Sequence, residues 1–243
     1  MLHSPKHFTQ GLILLATFTV VLILMFLPFS FLGQKDDGTA MNGLEYADDF
    51  FNRLSKGSSD FSEEVNAGVA KIAGKDVEVS FKLKKAEGNP AALALAAKAG
   101  LAGEVQDGAV ALKGDLAKLL ALAVADSKAM YANNGKAVTR LDGLDERGVM
   151  KLWWEMLDSM IKPLQKKKLI AEANVVNLVN KKAVEPGYNF YGVQGEKVIE
   201  RIPMLTFLLV FYVAYTMWYG FAIFDLFDGV GLSMKKPKVK AEV

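Results

Sequence analysis

No cysteine occurs anywhere in the 243 residues, which removes disulfides, thiolate metal sites, iron–sulfur clusters, c-type haem attachment and cysteine nucleophiles in one step. Histidine is nearly as scarce. His3 and His7 are the only two, both at the N-terminus, so Ser-His-Asp and Cys-His machineries and the usual zinc sites are excluded from the rest of the chain. Charge of one sign is lacking as well: 29 Lys and Arg stand against 27 Asp and Glu, and a net charge of +2 supplies no field for drawing in nucleic acid. No EF-hand loop, Walker loop or G-x-G-x-x-G is present, and no asparagine lies in an N-x-Ser/Thr sequon. The composition therefore implies neither cofactor nor metal, and no nucleic-acid partner.

What the chain holds in abundance is apolar residues, 51% of the total, gathered at its two ends. Between Lys6 and Lys35 there is no charged residue. At ~1.5 Å per residue, the run from Gly11 to Phe31 covers the ~30 Å of a bilayer's hydrocarbon core, which predicts a transmembrane helix over residues 11–32. The competing reading, a cleaved signal peptide, has an apolar region of only about 7–15 residues, and Gly38-Thr39-Ala40 is a poor, distant cleavage site. Pro28 sits near the outer end of this run, where a kink or a stop costs least. A second uncharged run, Ile202 to Phe224, predicts a transmembrane helix over 202–225, with Pro203 in its first turn. Lys6 precedes the first span, and Lys235, Lys236, Lys238 and Lys240 follow the second in a basic tail. The positive-inside rule then places both termini, residues 1–10 and 226–243, in the cytoplasm and residues 33–201 outside. Absence of cysteine and of sequons is unusual for a domain of this size made in a eukaryotic secretory pathway and points to a bacterial periplasm, hence the inner membrane. Both ends of such a domain meet one membrane face, so the two spans are expected to pack as an antiparallel pair.

The intervening segment is formally neutral and mostly helical in its periodicity. Leu44, Ala47, Phe50, Phe51 and Leu54 recur at helical spacing, as do Phe61, Val65, Val69 and Ile72 after Gly57-Ser58-Ser59. Asp60 with Glu63 has the spacing of a capping box. Val77 to Leu83 alternates as a half-buried strand does; Ala109 to Leu112 is a weaker second strand, with an alanine-rich helix ending at Gly100 between them. Asp115 caps a helix bearing Leu116, Leu119, Leu120, Ala123 and Met130, which Asn133-Asn134-Gly135 ends. The strongest stripe runs from Val149 through Leu152, Trp153, Met156, Leu157, Met160 and Ile161 to Leu164. Pro163 is expected to kink or divide it from a following helix carrying Ile170, Ala173, Val176, Val179 and Ala183, which Pro186-Gly187 closes before an aromatic linker, Tyr188 to Gly192. The fold class is a membrane protein with two transmembrane α-helices and a helix-rich α+β extracytoplasmic domain carrying a minor β-hairpin.

Chemistry-bearing groups are few. Asp48-Asp49 and Asp145-Glu146 have the residue types for acid–base work or a hard cation, but neighbours on a helix do not share a face, and Asp145-Glu146 suits a helix N-terminus. Lys166, Lys167 and Lys168 read as a solvated turn. Trp153 and Trp154, about 100° apart on a helix, do not both face one core, so one stands at its edge as a candidate partner contact. In the second span Phe207, Phe211, Tyr215 and Trp218 line one side, with Tyr212, Thr216 and Tyr219 beside them. Trp218 suits an interfacial belt. Tyr212 lies near the bilayer centre, where lipid provides no acceptor; Thr17 or Thr19, a helix of another subunit, or a quinone-like ligand are its alternatives, with protein packing favoured. Tyr212, Tyr215 and Trp218 thus join the tryptophans as candidate contacts.

Three function classes remain. The first is a non-catalytic, membrane-anchored accessory or scaffold subunit of a bacterial envelope complex, acting through its periplasmic domain on other membrane or periplasmic subunits and compatible with homo-oligomers. The second is a ligand-sensing module whose topology alone resembles the input half of bacterial chemoreceptors and sensor kinases, signalling through a separate output protein. The third is a two-span channel subunit, ranked last because neither span has a continuous polar face.

Overall fold

The computed structural model describes residues 2–35 and 37–232; the four tail lysines that set the predicted orientation lie outside the described residues. In chain order the main elements are α1 (Pro5–Phe26), α2 (Gly43–Ser58), α3 (Ser62–Ala70), β1 (Asp76–Phe81), α4 (Asn89–Lys98), β2 (Ala102–Gln106), β3 (Ala109–Asp115), α5 (Leu116–Tyr131), α6 (Glu146–Lys166), α7 (Ile170–Val179), α8 (Glu185–Asn189) and α9 (Ile202–Gly229). The chain divides into two compact units, Met1–Phe51 with Glu196–Val243, and Asn52–Gly195.

In the Asn52–Gly195 unit, α5 and α6 carry the core in the predicted places. The Asp115 carboxylate accepts from Ala117 N–H and the Asp145 carboxylate from Gly148 N–H, so both helices start on a side-chain cap. Leu116, Leu119, Leu120, Ala123 and Met130 of α5 are buried with Val149, Leu152, Trp153, Met156, Leu157, Met160 and Leu164 of α6. Pro163 does not divide α6. It forgoes one backbone bond in the last full turn, and the reversal comes later at Lys168 (φ 62°), where Leu169 N–H reaches Leu164 C=O and Lys168 N–H reaches Gln165 C=O.

Pro186-Gly187 does not close the next helix either. Residues 180–184 form a wide π turn that joins α7 to α8, with Glu185 N–H donating to Asn180 C=O. The extra residue rotates the apolar register by one, so Val184, not the predicted Ala183, is fully buried. Gly187 then lies on α5 so closely that a Cβ there would stand 2.8 Å from the Ser127 carbonyl oxygen.

The predicted hairpin is a three-stranded antiparallel sheet of order β1-β3-β2. Val77, Val79 and Phe81 of β1 point inward while Asp76, Glu78 and Ser80 point out, as the alternation predicts. β2 escapes a hydrophobicity reading because all five of its residues are exposed. Its signal is the Asp107-Gly108 turn to β3, with φ of 51° and 74°, the two positive values that a type I′ hairpin requires. The Asp60–Glu63 capping box is not formed: Asp60 accepts from Ser62, two residues on, instead of from Glu63 N–H. The reciprocal pair is Asn42 with Glu45, where the Asn42 side chain accepts from Glu45 N–H and Glu45 accepts from Asn42 N–H.

In the other unit, α1 and α9 form an antiparallel hairpin. At ~1.5 Å per residue they measure roughly 33 and 42 Å, and both are long and apolar enough to cross a membrane. α1 occupies 5–26 rather than the predicted 11–32, because Pro28 drives Leu27 into extended backbone (φ −78°, ψ 137°). α9 runs beyond the predicted residue 225 to Gly229. The helices touch without intervening side chains where Gly11 meets Ala222 and Leu226, and where Gly229 meets Phe8; a Cβ on either glycine would come within 2.7 Å of the neighbour's backbone.

The Gly187 contact yields a direct expectation. Gly187→Ala drives a methyl into the α5 backbone and should lower stability by about 1–3 kcal/mol, seen as a fall of several degrees in thermal unfolding of the full chain.

Candidate functional site

α6 places the adjacent tryptophans in opposite roles. Trp153 is fully buried, and its indole N–H donates to Asp126 at 2.8 Å. The other Asp126 oxygen accepts from both the N–H and the hydroxyl of Thr139 at 2.9 Å. Trp153 therefore has no surface to offer a partner, which corrects the expectation that it is a contact; it anchors the 133–145 connection to α5 through a buried carboxylate.

Trp154 is the edge residue. Its N–H donates to Glu185 at 3.0 Å, Lys84 lies 5.1 Å over its ring, and Lys181 pairs with the same Glu185 oxygen at 2.6 Å. Met150, Lys151, Trp154, Val184, Glu185 and Tyr188 line a groove of about 330 Å³. The π turn is what brings Val184 and Glu185 to α6. Glu185 lies 31 residues from its tryptophan, so no local pattern in the sequence links them.

A polar bowl of about 740 Å³ lies along residues 133–146, with Tyr191 at its wall. Its acidic pair is engaged: Asp145 caps Gly148 N–H at 2.7 Å, and Glu146 accepts from the Tyr191 hydroxyl at 2.9 Å. That bond to Glu146 holds the Tyr191 pKa above its ordinary value. Asp48 and Asp49 also have interactions of their own. Among the described residues, no group of three or more His, Asp or Glu is placed to hold a metal ion. In the lysine run, Lys167 donates to Glu78 C=O at 2.9 Å and Lys168 makes the turn.

Sequence reasoning missed Lys56. This side chain is 5% exposed, and its ammonium donates to Asn133 Oδ1 (3.1 Å), Phe190 C=O (3.0 Å) and Val193 C=O (2.6 Å). Asn133, held at φ 58°, returns a bond from Nδ2 to Val193 C=O and accepts from Gly192 N–H. The Tyr131 hydroxyl donates to Lys56 C=O. Together they fasten the 190–193 segment to the end of α2. No carboxylate joins the cluster's bonds, and burial pushes the Lys56 pKa down. Nothing local distinguishes this lysine from the chain's others.

On α9, Tyr215 and Trp218 are used within the chain. The Tyr215 ring stacks on Phe18 with centroids 4.2 Å apart, and its hydroxyl donates to Phe18 C=O at 3.2 Å. Trp218 donates from its indole to Leu14 C=O at 3.1 Å, so it bridges the helices rather than serving only an interfacial belt. Tyr212 faces away from α1 and is 66% exposed. The expected acceptors Thr17 and Thr19 turn their hydroxyls to their own helix, onto Ile13, Leu14 and Leu15 carbonyls. Asp225 and Asp228 lie 3.9 and 2.9 Å from His7 Nδ1.

No family model matches this chain, and neither does any curated protein or solved structure. Architecture and side-chain geometry define it: a hairpin of two long apolar helices joined to a helix-rich α+β unit.

Two outcomes follow for the buried charges. Asp126→Ala strands the Trp153 and Thr139 donors and should cost about 3–5 kcal/mol by denaturant unfolding. For Lys56, a folded pKa below the unfolded 10.5 means that the folded state binds fewer protons as pH climbs toward 10.5. The charge-burial penalty thus shrinks with rising pH. Thermal unfolding followed from pH 8 up to 10.5 should show the wild type gaining stability relative to Lys56→Met; a constant gap over that whole range contradicts the assignment.

Proposed function

We propose that this protein is a non-catalytic, membrane-anchored accessory or scaffold subunit of a bacterial envelope complex. In this reading α1 and α9 span the inner membrane, both termini are cytoplasmic, and residues 33–201 are periplasmic. The protein acts through its helix-rich unit, docking on another membrane or periplasmic subunit.

The observation that carries the proposal is the Trp154 groove. It combines an indole held by Glu185 with the flank of Tyr188, over a floor of buried Met150 and Val184, and with Lys84, Lys151 and Lys181 around it. A pre-positioned aromatic with a charged rim has the anatomy of an interface anchor. The sensing alternative rests on a separate feature, the 740 Å³ polar bowl at residues 133–146.

Purification of the full chain from its native membrane in mild detergent tests the docking reading. A stoichiometric partner should co-elute, and Trp154→Ala should reduce its recovery at least about tenfold, the cost of a hot-spot truncation above ~1.4 kcal/mol. A lone chain with catalytic turnover overturns it. For orientation, a reporter fused after Val243 should read as cytoplasmic.

A further inference from the structure

The two most exposed large apolar side chains among the described residues do not stand on the faces of the long helices. They are Phe31, 82% exposed, and Ile199, 75% exposed. Both lie just outside α1 and α9 at one end of the antiparallel hairpin, Phe31 five residues past the end of α1 and Ile199 three before the start of α9. The backbone fixes both positions. Ser30–Leu32 form a 3-10 turn, beyond which the chain folds back on itself, with Phe29 N–H donating to Met41 C=O at 2.9 Å and Met41 N–H to Gly33 C=O at 3.0 Å. Val198–Arg201 form a second 3-10 turn that runs directly into α9. At three residues per turn, Ile199 and Ile202 share one side of it, and both are exposed. Glu200 and Arg201 take the other sides, and the Arg201 guanidinium is held by both oxygens of Glu196 at 2.8 and 3.0 Å.

Depth along the hairpin says what meets these side chains. At its far end His7 faces Asp225 and Asp228, so the charge-free lengths begin at Phe8 on α1 and Phe224 on α9. Phe8 to Phe26 and Phe224 back to Ile202 measure roughly 27 and 33 Å at ~1.5 Å per residue, which brackets the ~30 Å of a hydrocarbon core. The headgroup layer adds roughly 5–7 Å on each side. Ile199 falls within it. Phe31 stays at a similar depth because its segment cannot rise away from α1: Phe29 pairs with Met41, and Gly43 lies against Met25, where a Cβ would stand 3.3 Å from the Met25 carbonyl oxygen.

We propose that Phe31 and Ile199 form an apolar foot that inserts into the outer interface of the bilayer, at the boundary between headgroups and acyl chains, and holds the 29–41 turn on the membrane surface. The partner is the lipid surface itself. The inference rests on the reading of α1 and α9 as membrane spans and adds to it a lipid contact outside both helices. A short turn with apolar side chains on one side and charged ones on the others suits that boundary, where the apolar side enters by ~5–10 Å while the charges keep to headgroups and water. Phe31 and Ile199 leave water there without needing any polar partner, since neither side chain carries a donor or an acceptor.

The absence of cysteine lets one label be placed at a time. Full-length Phe31→Cys, Ile199→Cys and Val213→Cys chains, each carrying an environment-sensitive fluorophore, are reconstituted in vesicles of phosphatidylethanolamine and phosphatidylglycerol. Val213, exposed and midway along the charge-free run Ile202 to Phe224, reports the bilayer centre. Quenching is measured with aqueous iodide and with lipids bearing a nitroxide either near the acyl carbonyl or near the chain end. At 31 and 199 the shallow nitroxide should quench about threefold more than the deep one, as it does for side chains at the headgroup–acyl boundary, and at 213 the order should reverse. Iodide quenching without nitroxide quenching at either 31 or 199 puts that side chain in water, shielding from both quenchers puts it under protein, and stronger deep quenching puts it in the hydrocarbon. Each of these results overturns the foot, while deep quenching at 213 keeps the spans. Any other pattern at 213 overturns the spans, and the foot with them.

Discussion

Gly11 allows α1 to lie against Ala222 and Leu226 with no side chain between the backbones, and that contact decides which faces of α9 are covered. Once the helices meet there and at Gly229 against Phe8, the larger Tyr215 and Trp218 fit toward the other end of the pair. Tyr215 stacks on Phe18 and donates to its carbonyl, and Trp218 donates to the Leu14 carbonyl. Small residues at one end and aromatics at the other set the packing. The bonds to main-chain carbonyls add polar contacts that also hold in lipid, where apolar side chains gain nothing by leaving hydrocarbon. The same geometry leaves Tyr212, Thr216 and Gly220 facing outward.

The helix-rich unit depends on a comparable constraint of close approach. Gly187 brings α8 onto the α5 backbone, and the π turn before it supplies the extra residue that lets Val184 enter the core. Pro186 fits this arrangement because the wide turn has already broken the ordinary hydrogen-bond ladder. A regular helix would have put Ala183 inward and moved Glu185 away from Trp154. The groove that carries the functional proposal is therefore a product of one irregular turn.

Asp126 and Lys56 share a logic: each is a charged group in a buried place, satisfied by uncharged partners. Asp126 gathers Trp153 and Thr139 donors, and Lys56 gathers the Asn133, Phe190 and Val193 acceptors. Each ties an irregular segment to a helix, the 133–145 connection in one case and residues 190–193 in the other. Burying a charge costs free energy that each bond only partly offsets, but the bonds hold both loops in one geometry.

Much of the architecture was legible in the residues themselves. The two charge-free runs, the inward alternation of Val77, Val79 and Phe81, the stripes of α5 and α6, and the Asp115 cap depend on interactions within four residues or on composition alone, which a linear pattern records. Pro163 and Pro186 misled because a proline marks a lost hydrogen bond, not the turn that absorbs it. β2 was hidden because an edge strand with every residue exposed needs no alternation. The pairing of Trp153 with Asp126, Trp154 with Glu185, Lys56 with Val193, and Tyr215 with Phe18 joins residues 27 to 197 positions apart. By itself the sequence determined which segments are helical, which are apolar enough for a bilayer and which chemistries are absent. Only the tertiary structure decided which tryptophan stands at the edge of the core, where the long helices begin and end, and which tyrosine of α9 reaches across to α1, because those depend on the neighbour each side chain meets once the backbone has folded.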